Sequence, residues 1–149
     1  CATCDGFFFK DKDVLVVGGG DTAMEEANFL TRFATKVTLV HRRDSFRGEK
    51  ILHDRVFAHP RIEVVWNHEV AEVVGDTVPV KAVRGLKIRH VQTQMITDLS
   101  VDGVFIAIGH DPATGIFKGK VKMDGTGYIL TAPDSTAKQR MRICAVSLK

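Results

Sequence analysis

The apolar positions of this chain change period along its length. Val14-Leu15-Val16-Val17 is an uninterrupted run of β-favouring residues, the pattern of a strand buried on both faces. From Asp21 to Arg32 the period becomes helical, with Ala23, Ala27 and Leu30 on one face. Lys36-Val37-Thr38-Leu39-Val40 returns to strand. A second helix is expected from a cap at Asp44 or Ser45 to Ala58, with Ile51, Leu52, Arg55 and Val56 on a mixed face and His59-Pro60 as its stop. Ile62–Trp66, Glu69–Val74, Val80–Val83 and Leu86–Val91 then follow as strands without intervening helices, which reads as an antiparallel ribbon. Val101–Ile108 is a further buried strand, ended by Gly109 and Asp111-Pro112, and a loop from Gly115 closes on a short strand at Tyr128-Ile129-Leu130. The pattern predicts an α/β fold: a parallel sheet with flanking helices, plus an antiparallel ribbon over about Ile62 to Val91. Phe7-Phe8-Phe9 is expected to pack under the sheet, and Trp66 reads as core or edge packing.

The junction between the first strand and the first helix carries the strongest chemical signal. It reads Gly18-Gly19-Gly20-Asp21-Thr22-Ala23, a G-x-G-x-x-A turn, with a second strand about twenty residues on. In a Rossmann-like dinucleotide-binding unit Gly18 permits the tight turn, Gly20 admits a pyrophosphate to the backbone, and Ala23 lets helix and strand pack closely. Thr22 and Glu25 fit a T-x-x-E capping box that would set the helix N-terminus under the phosphates. A purely structural turn is the plainer alternative, but the flanking strands and helix favour a nucleotide.

The end of the second strand selects which nucleotide. NAD requires an acidic residue there for its ribose hydroxyl, yet no acid occurs between Glu26 and Asp44; His41, Arg42, Arg43 and Arg47 stand in its place. Guanidinium groups at the ribose edge suit a 2′-phosphate. A solvated basic face is the bland alternative, and NADPH is the expected cofactor. Ligands of parallel sheets lie at the carboxyl ends of strands, so Ile108 and Gly109 are expected at the same crevice.

Composition narrows the field further. A chain of 149 residues with 44% apolar and 26% charged residues is an ordinary globular domain, and a net charge of +3 does not indicate nucleic-acid binding. No stretch has the length of a membrane span or the form of a signal peptide, so no membrane partner is expected. Three cysteines make no disulfide framework. Cys1 and Cys4 form a C-x-x-C next to the βαβ unit, for which thiol–disulfide exchange, inert thiols and half a zinc site are the readings, with redox favoured and no metal expected. A cytoplasmic location follows. Asp5 is either a general acid for a thiolate or a turn residue.

Taken together, Cys-Ala-Thr-Cys-Asp-Gly, Gly-Gly-Gly-Asp-Thr-Ala, His-Arg-Arg-Asp-Ser-Phe-Arg and Val-Asp-Gly-Val-Phe-Ile-Ala-Ile-Gly-His-Asp-Pro resemble bacterial-type, low-molecular-weight thioredoxin reductase, over Cys1 to about Thr136. The resemblance implies a flavoenzyme in which NADPH reduces FAD and FAD reduces the dithiol pair, with thioredoxin as partner. It implies Cys4 as the flavin-facing sulfur, Cys1 as the attacker of the partner disulfide, Asp5 as proton donor, and Arg42, Arg43 and Arg47 as ligands of the 2′-phosphate. A homodimer is compatible with it. The expected organisation is an NADPH-binding and dithiol domain over 1–123. Residues 124–149 are expected to be a truncated or aberrant remnant of the returning FAD-domain segment, because no flavin-contacting strand is recognisable after Thr136; Cys144 there is read as incidental. On that basis the FAD site is expected to be largely absent and the isolated chain inactive. The alternatives are a non-catalytic NADPH-binding module and a fragment of an alkyl hydroperoxide reductase flavoprotein subunit. The latter is disfavoured because it should carry an acid where His41-Arg42-Arg43 stands.

Overall fold

The computed structural model describes residues 1–79 and 81–130. Its contacts divide the chain into two compact units, Cys1–Gly109 and His110–Lys149. The division falls ahead of the 123/124 boundary read from the sequence. Thr136, Cys144 and the rest of the tail lie outside the described residues.

The first unit opens with a one-turn helix α1 (Ala2–Asp5) and a 3₁₀ turn over Gly6–Phe9. Strand β1 (Asp13–Val17), helix α2 (Asp21–Leu30), strand β2 (Lys36–Val40), helix α3 (Lys50–Ala58) and strand β3 (Ile62–Val65) form two successive βαβ units. Three antiparallel strands follow, β4 (His68–Asp76), β5 (Ala82–His90) and β6 (Ile96–Ser100), before β7 (Gly103–Ile106) returns beside β1. The sheet order β3-β2-β1-β7 is parallel throughout.

Alternation along the central strands explains the layering. Val14, Val16, Val37 and Leu39 face one way, into a core with Ala23, Met24, Ala27, Leu30 and Val56 of the two helices. Leu15 and Val40 face the other way and meet Leu86, Ile88 and Val101. A sheet buried on both faces needs apolar residues at consecutive positions, which is why these strands read as unbroken runs. The antiparallel sheet covers the face that has no helices.

Four expectations about local structure require correction. Ile62–Val65 pairs in parallel with β2, so it closes the second βαβ unit and does not belong to the ribbon. The ribbon instead contains β6, whose Ile-Thr-Asp-Leu-Ser is too polar and too exposed to stand out as a strand. Helix α3 begins at Lys50 without a side-chain cap; Ser45 donates to Asp44 Oδ1 and Phe46 turns into the core, which keeps 44–49 out of the helix. Phe9 does pack beneath the sheet, edge-on to Phe105 with centroids 5.3 Å apart, but Phe7 and Phe8 are 67% and 70% exposed. Trp66 is partly buried against the helix-side core, as expected. Helix α2 ends at Leu30, two residues before the expected stop at Arg32, and Arg61 Nη1 donates to the carbonyls of Thr31 and Ala34 beyond it.

In the second unit, Asp124 organises a tight turn. Its carboxylate accepts from the Thr126 hydroxyl and N–H and from the Tyr128 N–H at 2.7–2.9 Å, and these bonds hold its pKa below the usual carboxylate value. Met123 bridges to Ile129, so the short strand expected at Tyr128–Leu130 is a single antiparallel bridge.

Gly18 is the position where packing leaves least room. Its φ is +155°, and a Cβ there would overlap the carbonyl oxygen of Ala107 and lie 2.7 Å from the Ala23 Cβ. Neither neighbour is the movable end of a side chain. Gly18→Ala should therefore destabilise the protein by about 2–4 kcal/mol, combining overpacking with an unfavourable φ. Urea denaturation checks this; a loss below about 0.5 kcal/mol, the range of a neutral surface change, would contradict the close approach.

Candidate functional site

The glycine turn sits where β1 ends and α2 begins. Gly18 N–H donates to the Val40 carbonyl at 3.0 Å, extending the β1–β2 pairing by one bond. Gly19 is buried directly against the His41 ring, which any Cβ at that position would strike. Gly20 is the extended N-cap of α2 and has nothing within 4 Å of where its Cβ would be. The backbone thus presents an open, side-chain-free surface at the head of a ten-residue helix. No side chain caps that helix, so its first N–H groups are available to an anion. Such a surface has the form of an anion cradle.

The capping box expected from Thr22 and Glu25 is not formed. Because Gly20 is the N-cap, Thr22 is the second residue inside the helix, and Glu25 points out to solvent. Asp21, also expected to touch the nucleotide, engages elsewhere: its Oδ1 accepts the Glu49 N–H at 2.7 Å. Ala23 is fully buried beneath Gly18, as the motif requires.

Arg42, Arg43 and Arg47 lie in the loop that follows β2, and all three are exposed. Among the described residues none of them enters an ion pair, so their charges are available to a ligand. Arg47 is tied to the glycine turn by its own N–H, which donates to the Gly19 carbonyl at 2.9 Å. The glycine turn and the loop that carries the guanidiniums are therefore joined through the backbone.

His41 does not join the arginines. It is only 8% exposed and lies under Gly19, near Phe46 and Trp66 at centroid distances of 6.1 and 6.2 Å. Its Nε2 is buried without a hydrogen-bond partner among the described residues. Burial pushes its pKa below 6.5, and the three guanidiniums push the same way, while a hydrogen bond with the Ser45 backbone opposes them. His41 supports the turn from beneath. The residues missed by sequence reasoning are Phe46, whose ring is 4.5 Å from Trp66, and Gly48, which packs against Asp21 and Met24. A lone phenylalanine and a glycine within a polar, basic segment were the available signals.

Ala107 adjoins Gly18, and its N–H donates to the Val17 carbonyl at 2.8 Å. Ile108 and Gly109 follow beyond β7, both exposed, with Gly109 at φ +97°. They sit just past the carboxyl end of the strand beside β1.

Cys1 is the N-cap of α1 and Cys4 lies within its single turn; both are exposed, and among the described residues neither forms a disulfide. The N–H groups of Cys4 and Asp5 donate to the Cys1 carbonyl at 3.1 Å, which holds the C-x-x-C in one compact turn. Ala2 is buried against the core and anchors that turn. Cys1 and Asp5 border a shallow open cavity of about 390 Å³, walled by Phe8, Phe9, Val104, Phe105 and Ile106. A thiol and a carboxyl at the rim of an apolar surface can carry out thiol–disulfide exchange with a docked partner.

Comparison with known proteins gives this geometry a family context. The family model described as pyridine nucleotide-disulphide oxidoreductase matches residues 1–142. The thioredoxin reductase of Streptomyces coelicolor is 57% identical over 136 residues, covering 91% of this chain and 41% of the relative. That of Rickettsia felis is 56% identical, with coverage of 91% and 44%. The crystal structure of thioredoxin reductase from Streptococcus pyogenes matches with a TM-score of 0.77 at 47% identity, over 89% of this chain and 42% of that one. The chain thus spans about two-fifths of the length of the relatives it matches.

The burial of His41 sets a pH dependence. The folded protein resists a proton that the unfolded chain accepts near pH 6.5. Stability attributable to His41 is therefore complete above that pH and falls as the pH drops through and below it. Replacing His41 by Gln removes the titration. Denaturant melts across this range should show the parent losing stability relative to His41→Gln as the pH falls; parallel curves would contradict the burial.

Proposed function

The chain belongs to the pyridine nucleotide-disulphide oxidoreductase family, and on that premise we propose that it is the NADPH-binding and redox-dithiol portion of a flavin-dependent thioredoxin-disulfide reductase. The observation that carries the cofactor choice is the Arg42, Arg43 and Arg47 cluster, exposed and without ion pairs among the described residues, beside a glycine turn to which Arg47 is hydrogen-bonded. The open backbone at Gly20 and the head of α2 would hold the pyrophosphate, and the three guanidiniums the 2′-phosphate.

When bound, NADPH and the flavin would together supply the electron pair that converts the Cys1–Cys4 disulfide to a dithiol. The chain's own residues then carry the exchange. The Cys1 thiolate attacks one sulfur of the partner's disulfide; that bond breaks, and its second sulfur leaves as a thiolate and takes a proton. Cys4 attacks the Cys1 sulfur, the mixed disulfide breaks, and the partner departs as a dithiol while Cys1 and Cys4 become the disulfide. Asp5, on the same turn, is the proton carrier for these sulfurs. Thioredoxin is the proposed partner, on the names of the relatives.

Two measurements test this reading. Discounted for solvent exposure, the arginine cluster should favour NADPH over NADH by about 2–4 kcal/mol, or about 30- to 1000-fold. Titration calorimetry on the chain should show that gap. Replacing Arg42 and Arg43 by Ala should close most of it by weakening NADPH alone, and added salt should weaken NADPH more than NADH. Equal affinity for the two nucleotides in the parent would overturn the cofactor assignment. For the dithiol, mild oxidation should leave no titratable thiol at Cys1 and Cys4 in peptide-mapped protein, because one turn favours closure between them; two persisting thiols would overturn the redox role.

A further inference from the structure

The loop that carries the arginines is held at four consecutive residues. Phe46 is buried among His41, His53, Phe57 and Trp66. Arg47 N–H donates to the Gly19 carbonyl at 2.9 Å. Gly48 lies so close to α2 that a Cβ would overlap Asp21 Oδ1 and the end of Met24, and would come within 2.9 Å of the Asp21 nitrogen. Glu49 N–H donates to Asp21 Oδ1 at 2.7 Å. Among the described residues Asp21 is the only side chain that makes a polar bond in this series. It is also an acid in the first turn of a helix whose N-terminus faces the proposed pyrophosphate, where a carboxylate directed at the ligand would repel it. Turned onto Glu49, the carboxylate ties the loop to the helix.

We propose that Asp21 is a positioning residue for cofactor selection: its carboxylate clasps the arginine loop to the head of α2, which sets Arg47 at a fixed distance from the glycine turn. The inference rests on the NADPH reading above and gives it a cause, since a 2′-phosphate and a pyrophosphate belong to one rigid ligand and need their two receptors held together. The clasp uses acceptor geometry; its charge is incidental. Asn has the same oxygen in the same place, whereas Ala has none. A change of charge at Asp21 also reaches the 2′-phosphate, so the Asn variant, which loses the charge and keeps the acceptor, separates that effect from the clasp.

The test combines that ratio with an amide-exchange measurement on the full chain. In Asp21→Ala the NADPH:NADH affinity ratio should fall by about tenfold, the worth of one ordering hydrogen bond, and the Glu49 amide should lose its exchange protection. Asp21→Asn should keep both. Gly48→Ala, which presses on the clasp from the loop side and leaves the carboxylate in place, should lower the ratio as well. A parent that prefers NADPH, with an Asp21→Ala variant that keeps the ratio, overturns the clasp and leaves the cofactor reading standing. Loss of the ratio in Asp21→Asn also overturns it, since charge would then be the cause. A parent without preference overturns both.

Discussion

Everything near the proposed nucleotide site depends on how closely other atoms approach the backbone at Gly18 and Gly19. The Ala107 carbonyl and Ala23 fill the space where a Gly18 side chain would be, and the His41 ring fills that of Gly19. Through these two residues β1, β7, α2 and the end of β2 come together. An interior packed to crystal-like density has no slack at such a junction. The bareness that lets the elements converge also leaves a polar backbone surface at Gly20 for a ligand to meet.

The same convergence explains why the basic loop is well defined although its side chains are exposed. Exposed guanidiniums carry little order of their own. Here the order comes from beneath: Phe46 in an aromatic cluster with Trp66 and His53, and backbone bonds from Arg47 and Glu49 to the glycine turn and Asp21. Charge and position are thus supplied by different residues, and substitutions in one set need not disturb the other.

Much of this was legible from the chain alone, and the failures have physical causes. The parallel strand runs, the glycine turn and the arginines are signals of local pattern and stand where expected, whereas the two strands read on either side of Arg84 are the single strand β5, Ala82–His90. The capping box failed because a glycine N-cap displaced Thr22 by two positions, a matter of backbone geometry that residue type does not encode. His41 was grouped with its basic neighbours, but the strand's alternation turns it inward under Gly19. Ile62–Val65 was misplaced because a short strand does not announce whether its partner is parallel. The role of Asp21 depends on a contact across 28 residues, which no local pattern reveals.

The return of β7 to the side of β1 has a consequence for the order in which the molecule assembles. Val14 pairs with Gly103, and Asp13 and Asp102 exchange hydrogen bonds across 89 residues of chain. Contacts that close so long a loop form late, after the local βαβ units. The wall of the cavity beside Cys1 includes Val104, Phe105 and Ile106 of that last strand. The two thiols and the strand that walls their cavity therefore lie at opposite ends of the first unit, so the dithiol centre gains its apolar surroundings only once β7 has returned beside β1.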